Sequence, residues 1–219
     1  MKILAVIPAR AGSKGIPNKN IRIINGKPLI SYCIENALNS KYITDVVITT
    51  DSAEIELIAK KYETAYIHRK AELCEDAVTL DAVVYDACRG YDADMIVTMQ
   101  PTSPTLKHET LDRAIEYAIR NNLDTLISGV NRPHLAWIEK DGKCVPAYEK
   151  RLNRQYLPKR FLETGAFVIS KAAVVTKDTR IGDKVNIYEI SEKEAVDVDT
   201  FEDLVCAEQI LKEKKLPLL

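Results

Sequence analysis

Arg10, Lys14 and Lys19 place three positive charges within ten residues, in the stretch Ala9-Arg10-Ala11-Gly12-Ser13-Lys14-Gly15-Ile16-Pro17-Asn18-Lys19-Asn20. Two glycines there allow the backbone to turn tightly and bring N–H groups toward an anion. Arginine grips phosphate with a planar fork of donors. This is the chemistry a triphosphate needs. The stretch is neither G-x-x-x-x-G-K-[ST] nor G-x-G-x-x-G, which argues against ordinary P-loop ATPases and dinucleotide enzymes. Near the other end lies Ala195-Val196-Asp197-Val198-Asp199-Thr200. In an extended segment residues i and i+2 point the same way, so Asp197 and Asp199 can face one cation. Carboxylates together with phosphate oxygens suit Mg²⁺. The same two acids would also complement the dipole of a helix starting at Thr200, and both readings can hold at once. A second D-x-D pair, Asp92 and Asp94, stands ahead of a strand and reads as solvated.

The elements that must position these residues follow from periodicity. Ile3–Pro8 is a short continuous apolar run, suited to a strand buried on both faces. Helical spacing follows from Leu29 to Leu38, after Pro28. Asp45–Thr50 is β-branched and strand-like. Ser52 caps a helix running to about Tyr62, and Tyr66-Ile67 is a weak strand. A helix at Asp81–Arg89, a strand at Met95–Met99, a helix at Glu109–Arg120 and a strand at Thr125–Val130 continue the alternation. Such alternation predicts an α/β fold, with a mostly parallel twisted sheet and helices on both faces. In such a sheet ligands bind beyond the carboxyl ends of the strands. The basic stretch and Gln100-Pro101-Thr102-Ser103-Pro104 both follow strands. Gln100 offers a donor and an acceptor to a sugar hydroxyl or amide, although the two prolines equally describe a plain structural turn. From Asn131 to Glu163 the alternation stops, with short strand-like pieces at His134–Glu139 and Lys143–Tyr148 and an arginine-rich run after them. This 131–163 excursion reads as an arm, a lid or a dimer contact on an otherwise single domain spanning 1–219. Gly165–Ser170 and Val185–Ile190 return to strand character, and Thr200–Glu213 closes with a helix.

Composition narrows the setting. The 219 residues suit one compact domain. Lys and Arg number 31 against 32 Asp and Glu, so no overall basic face for nucleic acid is indicated. The five cysteines are odd in number and none are paired as C-x-x-C, which argues against a disulfide framework and a cysteine-ligated zinc site and for a reducing cytoplasm. The apolar run at the start is too short for a secretory signal, and no run approaches a membrane span. His68, His108 and His134 show no metal-ligand spacing.

Taken in order, these pieces resemble the acylneuraminate cytidylyltransferases, also called CMP-sialic acid synthetases. The resemblance spans nearly the whole chain. It is carried by IPARAGSKGIPNKN at Ile7–Asn20, RKAEL at Arg69–Leu73 with Asp76 soon after, QPTSP at Gln100–Pro104, NRQYLP at Asn153–Pro158 and DVDTFEDL at Asp197–Leu204. It implies a nucleotide-diphospho-sugar transferase-like fold. It also implies a Mg²⁺-dependent reaction of CTP with a nine-carbon α-keto acid sugar, giving the CMP-sugar and pyrophosphate. On this resemblance Arg10, Gly12, Ser13, Lys14, Lys19, Asn20, Arg69 and Asp76 hold the nucleotide and its phosphates, with Arg69 at its base or ribose. Gln100, Arg154 and Gln155 contact the sugar, and Asp197 and Asp199 bind the metal. Arg10, Lys19, Asp197 and Asp199 are the catalytic set. The family forms dimers whose arm helps to build the neighbour's site, so a homodimer is expected. Members often carry Asn before the Gly-Ala pair, where this chain has Thr164 ahead of Gly165, and Leu80 replaces a hydroxy-amino acid. The sugar is therefore left open among sialic, pseudaminic, legionaminic and Kdo-like acids. A nucleotide-sugar-dependent glycosyltransferase and an inactive nucleotide-binding domain are the rival readings.

Overall fold

The computed structural model describes residues 1–213; the last six residues of the expected 1–219 domain lie outside the described part. Along the chain run β1 (Ile3–Pro8), β2 (Ile23–Ile24), β3 (Lys27–Pro28), α1 (Leu29–Asn39), β4 (Asp45–Thr50), α2 (Ala53–Lys61), β5 (Ala65–His68), α3 (Leu80–Cys88) and β6 (Met95–Thr98). Then come α4 (His108–Arg120), β7 (Thr125–Asn131), β8 (Trp137–Lys140), β9 (Lys143–Pro146), β10 (Phe161–Lys171), β11 (Val185–Glu189) and α5 (Phe201–Glu213). Among the described residues, seven of the strands form one sheet in the order β11-β7-β10-β6-β1-β4-β5. All its pairings are parallel except the two made by β10. Six strands therefore deliver their carboxyl ends to one edge, and β10 begins there.

Helices cover both faces, which is why β1 carries no polar alternation. Ile3, Ala5 and Ile7 pack with Ile48, Val97 and residues of α1, α2 and α4. Leu4 and Val6 turn the other way, onto Val47, Ile96 and the Val84 and Ala87 side of α3. Local signals set the helix ends. The Ser52 hydroxyl accepts from the Ile55 N–H at the start of α2, as expected of an N-cap. Thr79 does the same for α3 by accepting from Ala82.

The excursion is shorter than the 131–163 stretch marked out by sequence. Phe161, Leu162 and Glu163 pair with Asn131, Val130 and Gly129, so they belong to β10 and the main sheet. What leaves the sheet is the β8–β9 hairpin, paired Trp137↔Pro146 to Lys140↔Lys143, and a polar run with one 3₁₀ turn at Arg154–Tyr156. A wide irregularity in β10 between Glu163 and Val168 was not foreseen. It closes on the buried Ser128 hydroxyl, which accepts from the Phe167 N–H at 3.0 Å and the Thr164 hydroxyl at 2.8 Å.

Candidate active site

The cleft lies at the carboxyl edge of β1, β4 and β6. It has two lobes, of about 270 and 240 Å³, that share Pro8, Arg10 and Gln100. The first is walled by Ser13, Lys14, Gly15, Lys19, Asn20, Thr102 and Asp199. The second is walled by Arg69, Cys74 and Asp76 with apolar Leu73, Val78, Leu80 and Val83. A larger hollow of about 680 Å³ lies elsewhere, among Asn25, Tyr32, Glu35, Leu106 and His108. It holds none of the candidate nucleotide-, sugar- or metal-binding residues, so chemistry and not size selects the site.

The basic loop after β1 is held from behind. The Ala11 N–H donates to the Asp51 carboxylate at 2.7 Å, and Asp51 directly follows β4. Asn20 is buried and donates its amide to the Arg10 carbonyl at 3.0 Å, so it shapes the loop as well as lining the cleft. Gly15 has a steric reason to be glycine: a Cβ there would sit 2.4 Å from the Asp199 carbonyl oxygen. At Gly12 a Cβ would meet nothing within 4 Å. Ile16, beside Gly15, is fully buried with Val198, Leu29, Tyr32 and, from α5, Ala207 and Leu211. The basic loop and the Asp197–Asp199 segment are thereby packed as one unit, although 180 residues separate Lys19 from Asp199 along the chain.

Asp197 and Asp199 flank buried Val198, whose N–H donates to the Thr102 carbonyl at 2.8 Å. Capping of α5 falls to other residues. The Asp203 carboxylate accepts from the Thr200 and Asp199 N–H groups, and the Thr200 hydroxyl accepts from the Asp203 N–H. The side chains of Asp197 and Asp199 are thus not spent on the helix. Asp199 pairs with Lys19 at 2.8 Å, the lysine being almost buried and the aspartate mostly exposed. Asp197 is exposed and does not line either lobe, yet its carboxyl is partly desolvated beside Thr102. That desolvation, with the Asp199 carboxylate nearby, raises the Asp197 carboxyl above the usual aspartate range.

Arg69, which only the resemblance singled out, is buried against the end of β4. It donates to the Thr49 carbonyl at 2.7 Å, and desolvation lowers its pKa. Asp76 faces basic side chains: its two oxygens take Arg10 and Lys14, each at 2.8 Å. Gln100 receives its place from β10, since its N–H donates to the Gly165 carbonyl. Arg154 and Gln155 are exposed in the excursion and line neither lobe within the chain; Arg154 instead lies in the field of Glu192. Asp92 and Asp94 sit at the opposite edge, both bonded to Lys2. Among the described residues all five cysteines are free. No helix among them is long and apolar enough to cross a membrane.

Sequence reading missed Asp51, Gly15 as a close-approach glycine, Asp203, and the apolar wall of the second lobe. Asp51 was within reach, because it follows a strand at the ligand edge. The Gly15 contact depends on a segment remote in the chain and left no local signal.

Comparison with known proteins bears on the family and the fold. The chain is 32% identical over 216 residues to the N-acylneuraminate cytidylyltransferase A of Danio rerio, with 94% of this chain matched. It spans about half the length of that relative, 50%. It is also 32% identical to the pseudaminic acid cytidylyltransferase of Campylobacter jejuni, covering 97% of each chain. Among solved structures, a CMP:2-keto-3-deoxy-manno-octonic acid synthetase complexed with CTP superposes with a TM-score of 0.76. It covers 98% of this chain and 100% of its own at 16% identity, a likeness of fold. A family model described as cytidylyltransferase matches residues 4–214. This chain belongs to the cytidylyltransferase family.

Proposed function

We propose that this chain transfers the cytidine monophosphate part of CTP to an acidic α-keto sugar of the nonulosonic type, releasing pyrophosphate. One observation carries the reading. In a chain matched by the cytidylyltransferase family over residues 4–214, the basic loop and Asp199 converge on one cleft beside Gln100. Arg10 and Lys19 stand where a polyphosphate would lie, and Arg69 with the apolar second lobe would receive the nucleoside. The sugar's anomeric hydroxyl attacks the α-phosphorus in line with the departing pyrophosphate. Catalysis is then mostly positioning and neutralisation of charge, with Arg10 and Lys19 stabilising the pyrophosphate as it leaves. No protein nucleophile is needed.

The donor chemistry of Asp197 and Asp199 fits Mg²⁺. Among the described residues no set of three or more acidic, His or Cys side chains converges as a cage. Two carboxylates completed by phosphate oxygens and water are what this ion prefers. Desolvation first, and the Asp199 charge after it, raise Asp197, and a cation would offset the Asp199 part. Asp197 and Asp199 would hold it; when bound it supplies charge neutralisation at the phosphates and a lower pKa for a coordinated hydroxyl.

A homodimer belongs to the same proposal. The excursion exposes Trp137, Ile138, Leu152 and Tyr156, apolar side chains set among Arg151, Arg154, Lys159 and Arg160. Exposed aromatics with a charged rim suit an interface. Arg154, remote from its own cleft, could then reach a partner's sugar carboxylate as a bidentate donor.

The test is incubation with CTP, Mg²⁺ and sialic, pseudaminic, legionaminic and Kdo-type acids, with products identified by mass and pyrophosphate measured. A CMP-sugar with one of these acids is expected, with CTP preferred over UTP and ATP by about tenfold or more. Sugar transfer from a nucleotide-sugar without pyrophosphate would favour a glycosyltransferase. CTP binding with no product from any acid would favour an inactive nucleotide-binding domain.

A further inference from the structure

The three cations of the basic loop are not held alike. Lys19 is almost buried and is fixed by Asp199. Arg10 and Lys14 both point across the cleft to a single carboxylate, Asp76, on the wall of the second lobe. Asp76 gives one oxygen to the Arg10 guanidinium and the other to the Lys14 ammonium, each at 2.8 Å. Two oxygens of a polyphosphate would engage these side chains in the same way. Lys14 first and Arg10 second hold the Asp76 carboxyl below the usual aspartate range, so it is ionised at neutral pH. The pairs are exposed, Lys14 at 74% and Asp76 at 57%, and exposed pairs are weak enough to exchange.

We propose that Asp76 is a tethered counter-ion that competes with the substrate's phosphates for Arg10 and Lys14. It yields both side chains when a polyphosphate arrives and takes them back as pyrophosphate leaves. Its negative charge also repels any anion in the cleft. A ligand gains from displacing it only as far as its own charge exceeds that of the carboxylate, which favours triphosphate over monophosphate. This rests on reading the cleft as a CTP site. It departs from the expectation that Asp76 binds the nucleotide directly.

The test is calorimetric titration with inorganic tripolyphosphate, in the presence of a chelator, on the wild-type chain and on Asp76→Asn. Asp76→Asn removes the charge and keeps the shape. Its tripolyphosphate affinity should be tighter by about three- to tenfold, and the gain should shrink as salt is raised. Asp76→Ala, with circular dichroism to check folding, must move the same way. Unchanged or weaker tripolyphosphate binding in both variants overturns the proposal while leaving the CTP site standing. Weaker CTP binding at unchanged tripolyphosphate affinity also overturns it and makes Asp76 a direct contact of the nucleotide. If the folded wild type binds neither CTP nor tripolyphosphate, the reading of the cleft fails and this inference fails with it.

Discussion

Gly15 shows how a residue with no side chain can decide chemistry. Its Cα approaches the Asp199 carbonyl so closely that an added Cβ would lie at 2.4 Å, against backbone that has nowhere cheap to go. Overpacking of this kind costs about 1–3 kcal/mol, and displacement of a reacting constellation by about 1 Å can cost on the order of a hundredfold in rate. Gly15→Ala should therefore lower kcat at least about tenfold, with a smaller change in the KM for CTP. Steady-state kinetics on that variant with wild-type kcat would show that the loop and the acid segment need not touch. Asp197 supports a second expectation. Its carboxyl is raised, so it takes up a proton at higher pH than an ordinary aspartate, whose value is about 3.9. A cation needs the carboxylate. As pH falls through the raised value, activity should fall, and the acid limb of kcat/KM should lie above the ordinary aspartate range. Raising Mg²⁺ should shift that limb to lower pH, because the ion competes with the proton. A limb that ignores Mg²⁺ would assign it to another group. The linked stability has the opposite sense: an acid raised by desolvation costs stability once ionised, so this contribution weakens as pH rises through the window.

At the level of elements, the irregular stretch of β10 backs Gln100, which lines both lobes of the cleft. Extra residues between Glu163 and Val168 carry Gly165 beside Gln100, and a Cβ on Gly165 would meet the Gln100 and Ser103 side chains at 3.3 Å. Bulges of this kind often sit next to active sites because they re-aim a strand. Ser128 on β7 is the pin, through its bonds to Thr164 and Phe167 inside the core. Ser128→Ala leaves the Phe167 N–H without that partner. The expected loss is about 1–3 kcal/mol in urea unfolding, the usual cost of orphaning a buried donor. A loss under about 0.5 kcal/mol would mean the bulge is held by its own backbone.

For the whole molecule, the open question is whether the cleft is completed by a second copy. Within one chain Arg154 lines neither lobe, although the resemblance gives it to the sugar. Asp199→Asn is expected to lower turnover by about a hundredfold or more, and Arg154→Ala to be nearly inactive also. After the two chains are mixed and exchange is proven, each hybrid dimer should hold one cleft with both groups intact, and part of the activity should return. A monomer in light scattering, or a mixture as inactive as its parts, would confine the arm to its own chain.

By itself, the sequence determined the elements and the edge on which the chemistry sits. Apolar runs such as Ile3–Pro8, the helix-capping Ser52 and the strand–helix alternation are local signals, and the elements from β4 to β7 formed within a residue or two of where those signals placed them, whereas β10 began four residues and β8 three residues away from the expected start and β2 and β3 were not expected. The basic loop and Gln100 were legible because a parallel sheet presents whatever follows its strands. The tertiary structure alone decided the partnerships: Gly15 against Asp199, Ile16 against Val198 and α5, Asp76 against Arg10 and Lys14, and β10 entering at Phe161 against the other strands. Each joins segments far apart in the chain. Local propensity carries no information about such contacts, because they arise only when burial of the core brings remote backbone together.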